Sequence, residues 1–486
     1  MGDSQQIFVG LDAGTSGVRC VCVRTDGTVV AQCISEWKED VSSCVGGVLH
    51  EQNPDAWWVA ASSVLREATC CMRDSGISLD SIGAIAVDGT SGTLACLDRE
   101  GKCLRPAIMY NDGRSTRQAE ELNRAGRDTC DALGYQFSAS FALPKALWIR
   151  SEEPEVFERT RFFVHQADYL AGRLTGCFDI TDYNNALKTG YDVRNGRWPE
   201  WTADWDGLGE RLPQVVAPGD PAGFVSGGAS AMTGLPTGVQ VVAGTTDGIA
   251  GFLASGARDR GDCNTTLGTT LVFKAVSGET AKDERGAVYS HKLSNDKWLP
   301  GAASNTGAAW IPAWHPDREP AELDAAAGHC LPADSIAYPL VGTGERFPFL
   351  NGAATGFLSP EVSGVDAYAA RLQGTAFVER LAYDELSRCT GREIARVFCT
   401  GGGSRSRIWM QLRSDVCGIP FLRPAMPEAA FGAAVLAAAG ALGSLDVAMD
   451  EMVRMDASFE ADPVPNGRYC QLFSAFLEEL EERGYK

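Results

Sequence analysis

IFVGLD at residues 7–12 is a short apolar run, AGTSG turns the chain, VRCVCVR runs back, and TDG turns it again into VVAQCI. Apolar runs of this length, divided by small and turn-forming residues, predict a three-stranded meander. The pattern recurs downstream, where CNTT, LGTT, LVFKAV and SGE across residues 263–279 again read as strand, small-residue turn, strand and turn. Such a recurrence predicts two related halves. Laying Gly14-Thr15-Ser16 over Gly268-Thr269-Thr270 sets Asp12 on Thr266, so one copy carries an acid that the other lacks. Two unrelated hairpins with glycine turns would give the same local pattern.

Between these markers, SSVLREATCCMRD and RQAEELNRAG have the apolar spacing of amphipathic helices lying on a sheet, which predicts a mixed α/β architecture. AGTTDGIAGFLASGA at residues 243–257 reads as strand, glycine turn and helix, and the polar ARDRGD that follows opens the second copy. The expected division is therefore residues 1–257 and 258–486. EAAFGAAVLAAAGALG at residues 428–443 predicts an alanine-rich helix packed closely on its neighbours; its small residues and short length argue against membrane insertion.

The length of 486 residues agrees with two domains, and 44% hydrophobic residues without a low-complexity tract indicate a globular chain. MGDSQQIFVG lacks the basic start and apolar middle of a secretory leader, and a cytoplasmic location is expected. Sixteen cysteines scattered through so long a chain are expected to be free thiols, and neither Cys20 with Cys22 nor Cys70 with Cys71 has the CxxC or histidine company of a zinc site. The net charge of −20 argues against a nucleic-acid surface. An anionic substrate would then have to be held by backbone dipoles and a metal.

Glycine and small hydroxyl residues let main-chain N–H groups come close to phosphates, and both LDAGTSG and TLGTT have that makeup. Neither ends in the GK[ST] of a P-loop. Asp12 lies where a strand meets the first turn, a place from which a carboxylate can hold hydrated Mg²⁺ near phosphates, or simply face solvent. Asp247 precedes a helix, where it can orient a hydroxyl or cap the helix. VFCTGGGSRSRIWMQL, from residue 397, reads as strand, three glycines and helix, a turn able to bring backbone against a nucleoside.

Together these motifs resemble the FGGY carbohydrate kinases, within the actin and sugar-kinase fold, over essentially the whole chain. GLDAGTSG is similar to that family's first phosphate motif, AGTTDGIAGFLASGA to its catalytic-aspartate motif, TTLGTT to its second phosphate motif and CTGGGSRSRIWMQL to its adenosine motif. The resemblance implies two duplicated actin-like domains, with an ATP and sugar cleft between them. It implies that Asp247 is the general base and that Asp12, with Asp247, places Mg²⁺ and the sugar. ATP phosphates are expected near Gly14, Thr15, Ser16, Gly268, Thr269 and Thr270, and adenosine near Gly402, Gly403, Ser406 and Trp409. Ser406 stands where such kinases are expected to carry asparagine.

VDGTSGT at residues 87–93 and TDYNNALKTGYD at residues 181–192 look most similar to D-ribulokinase-like pentulose kinases, and Gly89-Thr90-Ser91 replaces the Met-His-Gly of typical bacterial xylulokinases. MYNDGRS at residues 109–115 is instead similar to xylulokinases. The expected reaction is phosphorylation of D-ribulose, with Ser91 beside the sugar and D-xylulose as the alternative. An ATP-binding regulator of the same fold without transfer activity is a rival that the retention of Asp12 and Asp247 argues against.

Overall fold

A computed structural model describes residues 6–37, 42–45, 48–205 and 207–486. Residues 1–5, part of the segment read above for a leader, lie outside them. The chain divides into two compact units, residues 1–256 with 426–454, and residues 257–425 with 455–486.

The first unit is built on a sheet of β1 (Ile7–Ala13), β2 (Gly17–Arg24), β3 (Val29–Glu36), β4 (Ile82–Gly89), β5 (Pro221–Phe224), β6 (Gln240–Val242) and β7 (Thr245–Thr246). Its order is β5-β6-β4-β1-β2-β3, with β7 also on β4. β1, β2 and β3 form the expected antiparallel meander, whereas β4 runs parallel to β1, β6 and β7 run parallel to β4, and the edge strand β5 is antiparallel to β6.

The second unit has β8 (Asp262–Leu267), β9 (Leu271–Ala275), β10 (Tyr289–Lys292), β11 (Trp298–Ser304), β12 (Arg396–Thr400), β13 (Phe421–Pro424) and β14 (Met455–Phe459). These are ordered β10-β11-β9-β8-β12-β13-β14. β8 pairs antiparallel with β9 and parallel with β12, as β1 does with β2 and β4. The two halves thus repeat one ladder, and the Gly-Thr turns at 14–16 and 268–270 fall at the same place in it.

β1 is buried on every residue, so both faces of this strand are covered. One cover is the helix α1 (Pro54–Asp74), which buries Trp57, Ala61, Leu65 and Met72. Another involves α2 (Asp247–Ser255) and α3 (Ala429–Leu442), both among the described helices. A Cβ on Gly10 would stand 1.8 Å from the Ala430 carbonyl oxygen, and one on Gly432 would stand 1.8 Å from that of Ala250. Alanines and paired glycines therefore let α3 lie directly against the strand of Asp12 and the helix of Asp247. This contact explains why residues 426–454 belong to the first unit, which a single cut near residue 257 does not anticipate. Among the described residues, no helix is long and apolar enough to cross a membrane and the cysteines form no disulfide.

Gly10→Ala should cost roughly 1 to 3 kcal/mol of stability or more, because an added methyl meets backbone that cannot rotate away. Urea unfolding of the variant checks this. A midpoint equal to that of the parent would show that α3 does not press on β1 as described.

Candidate functional site

Parallel pairing puts residues of adjacent strands side by side, about 4.8 Å apart. Asp12 is opposite Asp88 in the ladder of β1 and β4, and Thr245 is opposite Asp88 in that of β7 and β4. Asp247, two residues further on, begins α2. Three carboxylates are thus gathered at the carboxyl ends of three strands, the edge at which open α/β sheets bind ligands.

Their surroundings differ. Asp12 is 6% exposed, and its Oδ2 accepts from Arg19 Nη1 at 3.3 Å. Burial nevertheless lifts its pKa above the usual carboxylate value. Asp88 is fully buried, and neither of its oxygens has a donor among the described residues. Burial, then the neighbouring Asp12 and Asp247 carboxylates, push its pKa well up. Asp247 is half-buried and its Oδ1 accepts the next residue's N–H, from Gly248, at 2.6 Å. The N-cap of α2 is Thr246 rather than Asp247, so Asp247 sits in the first turn, where the helix dipole favours negative charge.

The segment after β4 is close-knit. Thr90 donates through N–H and hydroxyl to Gln166 Oε1, at 3.0 and 2.7 Å, while Ser91 Oγ is enclosed without a partner among the described residues. Asp182 caps the next segment, accepting from the Asn184 and Asn185 N–H groups, and Asn184 Nδ2 reaches Thr245 Oγ1 at 3.4 Å. This ties TDYNNALKTGYD to the strand that leads to Asp247. In NDGR, Arg114 donates to Asp112 and to Glu51, and Asp112 also accepts from the His50 N–H, so both are taken up within the fold.

The two Gly-Thr turns share a feature that matters for anions. In the first, Gly14 C=O accepts from Trp37 Nε1 (3.2 Å), Thr15 C=O from Gln52 Nε2 (3.0 Å) and Ser16 C=O from Trp37 N–H (2.9 Å). In the second, Gly268 C=O accepts from Ala308 N–H (2.8 Å) and Thr269 C=O from Ala309 N–H (3.3 Å). A trans peptide points its N–H opposite to its C=O. The N–H groups of Thr15 and Ser16, and of Thr269 and Thr270, are therefore turned away from these internal donors, on residues that are exposed or half-buried.

At the third motif, Gly401 has φ +83° and, like Gly403, leaves no room for a Cβ beside Leu267, whereas nothing lies within 4 Å of a Cβ on Gly402. The run thus packs on the end of β8 and exposes Gly402. Ser406 caps α4 (Arg407–Cys417) by accepting from Trp409 N–H at 3.1 Å. Trp409 itself is 2% exposed, with its indole donating to Leu372 C=O and its ring edge-on to Trp310. The ring fills the core and supports from behind the helix that Ser406 caps.

Asp88 was missed by sequence reasoning although VDGTSGT contains it. Its signal was the acid that ends an apolar strand, as Asp12 does. Among the described residues no three acidic, histidine or cysteine side chains converge to hold a metal by themselves.

Residues 7–254 match the model for the N-terminal domain of the FGGY family of carbohydrate kinases, and residues 263–441 match that for its C-terminal domain. The chain is similar to the xylulose kinase of Streptomyces coelicolor, 30% identical over 468 residues that cover 91% of this chain and 89% of that one. It is also similar to the xylulose kinase of Bacillus subtilis, 26% identical over 486 residues, covering 96% and 95%. The crystal structure of xylulose kinase from Rhodospirillum rubrum matches with a TM-score of 0.85 at 27% identity, over 98% of this chain and 99% of that one.

An acid whose folded pKa is raised keeps its proton longer in the folded than in the unfolded chain, so it lowers stability as pH rises above its ordinary 3.8. Asp88→Asn should therefore be more stable than the parent near neutrality in metal-free buffer, by a margin that shrinks as pH falls toward 4. Urea midpoints across this range check it, and a margin independent of pH would contradict the described burial of Asp88.

Proposed function

Because the chain belongs to the FGGY family of carbohydrate kinases, we propose that it transfers the terminal phosphoryl group of ATP to a hydroxyl of D-xylulose, with Asp247 as the general base. The observation that carries the roles is the gathering of Asp12, Asp88 and Asp247 at one end of the parallel strands. The sugar rests on relatives named xylulose kinase over nearly the full chain.

Phosphoryl transfer asks for positioned reactants and balanced charge more than for covalent help from the protein. Asp247 accepts the proton of the sugar hydroxyl as that oxygen attacks phosphorus, and it is half-buried, so it meets a ligand without losing all contact with solvent. Asp12, paired with Arg19, helps to place the sugar and the metal. The N–H groups of Thr15, Ser16, Thr269 and Thr270 serve as phosphate donors. Gly402 and Gly403 bring backbone toward adenosine, and Ser406 holds the start of the helix that follows.

The oxygen donors of Asp12 and Asp247 suit Mg²⁺, which prefers carboxylate, phosphate and water ligands. With only these two carboxylates, the ion would be shared with the nucleotide. When bound, it would neutralise phosphate charge.

D-ribulose, the sugar expected from VDGTSGT, is the second reading. It is favoured by Ser91, whose enclosed hydroxyl has no partner among the described residues and is free to select one epimer. The two pentuloses differ at one carbon, and a buried polar group left unpaired costs about 1 to 3 kcal/mol, or roughly 5- to 150-fold in specificity.

Asp247→Asn should retain ATP binding by calorimetry and lose roughly 100-fold or more in turnover. Near-parental turnover in that variant would remove Asp247 as the base. For the sugar, kcat/KM at fixed MgATP should be higher for D-xylulose than for D-ribulose, and Ser91→Ala should change their ratio. A parent that prefers D-ribulose overturns the sugar assignment, and an unchanged ratio removes Ser91 from the discriminating contacts.

A further inference from the structure

Glu345 lies far in sequence from every motif discussed so far, yet it is only 2% exposed and its carboxylate is surrounded by donors. Oε2 accepts from Ser304 Oγ at 2.8 Å, from Thr306 Oγ1 at 2.9 Å and from the Tyr338 hydroxyl at 2.8 Å. Oε1 accepts from the backbone N–H groups of Asn305 at 2.7 Å and Arg346 at 2.9 Å. A buried carboxyl group that accepts from three hydroxyls and two backbone amides fixes each of these donors in return.

Of these donors Ser304 ends β11, and Asn305 and Thr306 belong to the loop that leaves it, the same loop that backs the second Gly-Thr turn. Thr306 C=O accepts from Leu271 N–H at 3.2 Å, while the N–H groups of Ala308 and Ala309 hold the Gly268 and Thr269 carbonyls. A Cβ on Gly307 would stand 2.5 Å from Thr269 O and 2.6 Å from Thr270 Cα, so no slack separates loop and turn. The direction of the Thr269 and Thr270 N–H groups follows from where those carbonyls are held. That in turn follows from where Glu345 anchors the loop.

We propose that Glu345 is a positioning residue for phosphoryl transfer, holding residues 304–309 so that the Gly268–Thr270 turn presents its N–H groups to the nucleotide phosphates. This rests on the reading above that the turn meets phosphates. Glu345→Gln keeps the shape but sets an NH₂ against donors, so one side of the anchor is lost. Thr306→Val removes a single donor with little change of shape.

The test is calorimetric binding of ATP and of adenosine to the full chain and to Glu345→Gln, Thr306→Val and Gly268→Val, with circular dichroism to confirm folding. Gly268→Val is tolerated sterically, since a Cβ there meets nothing closer than Thr270 O at 3.9 Å. Glu345→Gln should weaken ATP roughly 10-fold, the loss of one or two net hydrogen bonds, while adenosine stays within about 2-fold. Thr306→Val should move ATP in the same direction by less. Equal losses for ATP and adenosine, or unchanged ATP binding in folded Glu345→Gln, would overturn the proposal while a weakened Gly268→Val left the turn in place as a phosphate site. Unchanged ATP binding in Gly268→Val would instead overturn the reading of the turn, and the proposal with it. If Glu345→Gln does not fold, Thr306→Val decides on the same criterion.

Discussion

Two acids set side by side in a parallel ladder cannot easily move apart, because the register of β1 on β4 fixes both backbones. On adjacent strands and with little water, full charge on both Asp12 and Asp88 is unfavourable, and Asp247 adds to the same field. Arg19 offsets part of it from the side of Asp12. The rest of the first unit is arranged around that crowding. Buried strands hold the ladder, and α3 locks β1 to the helix that begins with Asp247. A fold seeking only stability would place apolar groups there, which is why the cluster is the candidate binding place.

Both halves share a second device, a Gly-Thr turn whose carbonyls are occupied from within the protein, which suits the proposed contact with phosphates in a net acidic chain. Trp37 and Gln52 occupy the carbonyls of the turn at 14–16, and the backbone after β11 occupies those of the turn at 268–270. Peptide geometry then directs the N–H groups without any basic side chain in the turn itself. The two turns differ in their supports: indole and amide side chains in the first unit, and a loop anchored on a buried carboxylate in the second.

Much of this was legible in the sequence because it depends on local signals. The meander and its repeat follow from apolar runs cut by small residues, and Asp12 and Asp247 stood out as acids at the ends of such runs. The family match bears out the resemblance carried by the four motifs. What was not legible depends on partners distant in the chain. Asp88 is notable only once β4 is known to lie beside β1. Trp409, on a helix after a glycine run, offered no local sign that its ring faces Trp310 and Leu372 rather than a ligand. The return of residues 426–454 to the first unit depends on Gly10 and Gly432 meeting backbone from other elements. Glu345 draws its donors from residues up to 41 positions away.

The central claim is that the strand-end carboxylates form the place where a sugar hydroxyl is deprotonated, with Asp247 doing so. A crystal structure of the protein with the pentulose and a non-hydrolysable ATP analogue tests it most directly. The account predicts a carboxylate oxygen of Asp247 within hydrogen-bond reach, about 2.6 to 3.2 Å, of the hydroxyl that receives phosphate. A sugar bound with that hydroxyl paired to another side chain, and Asp247 turned from it, would contradict the account.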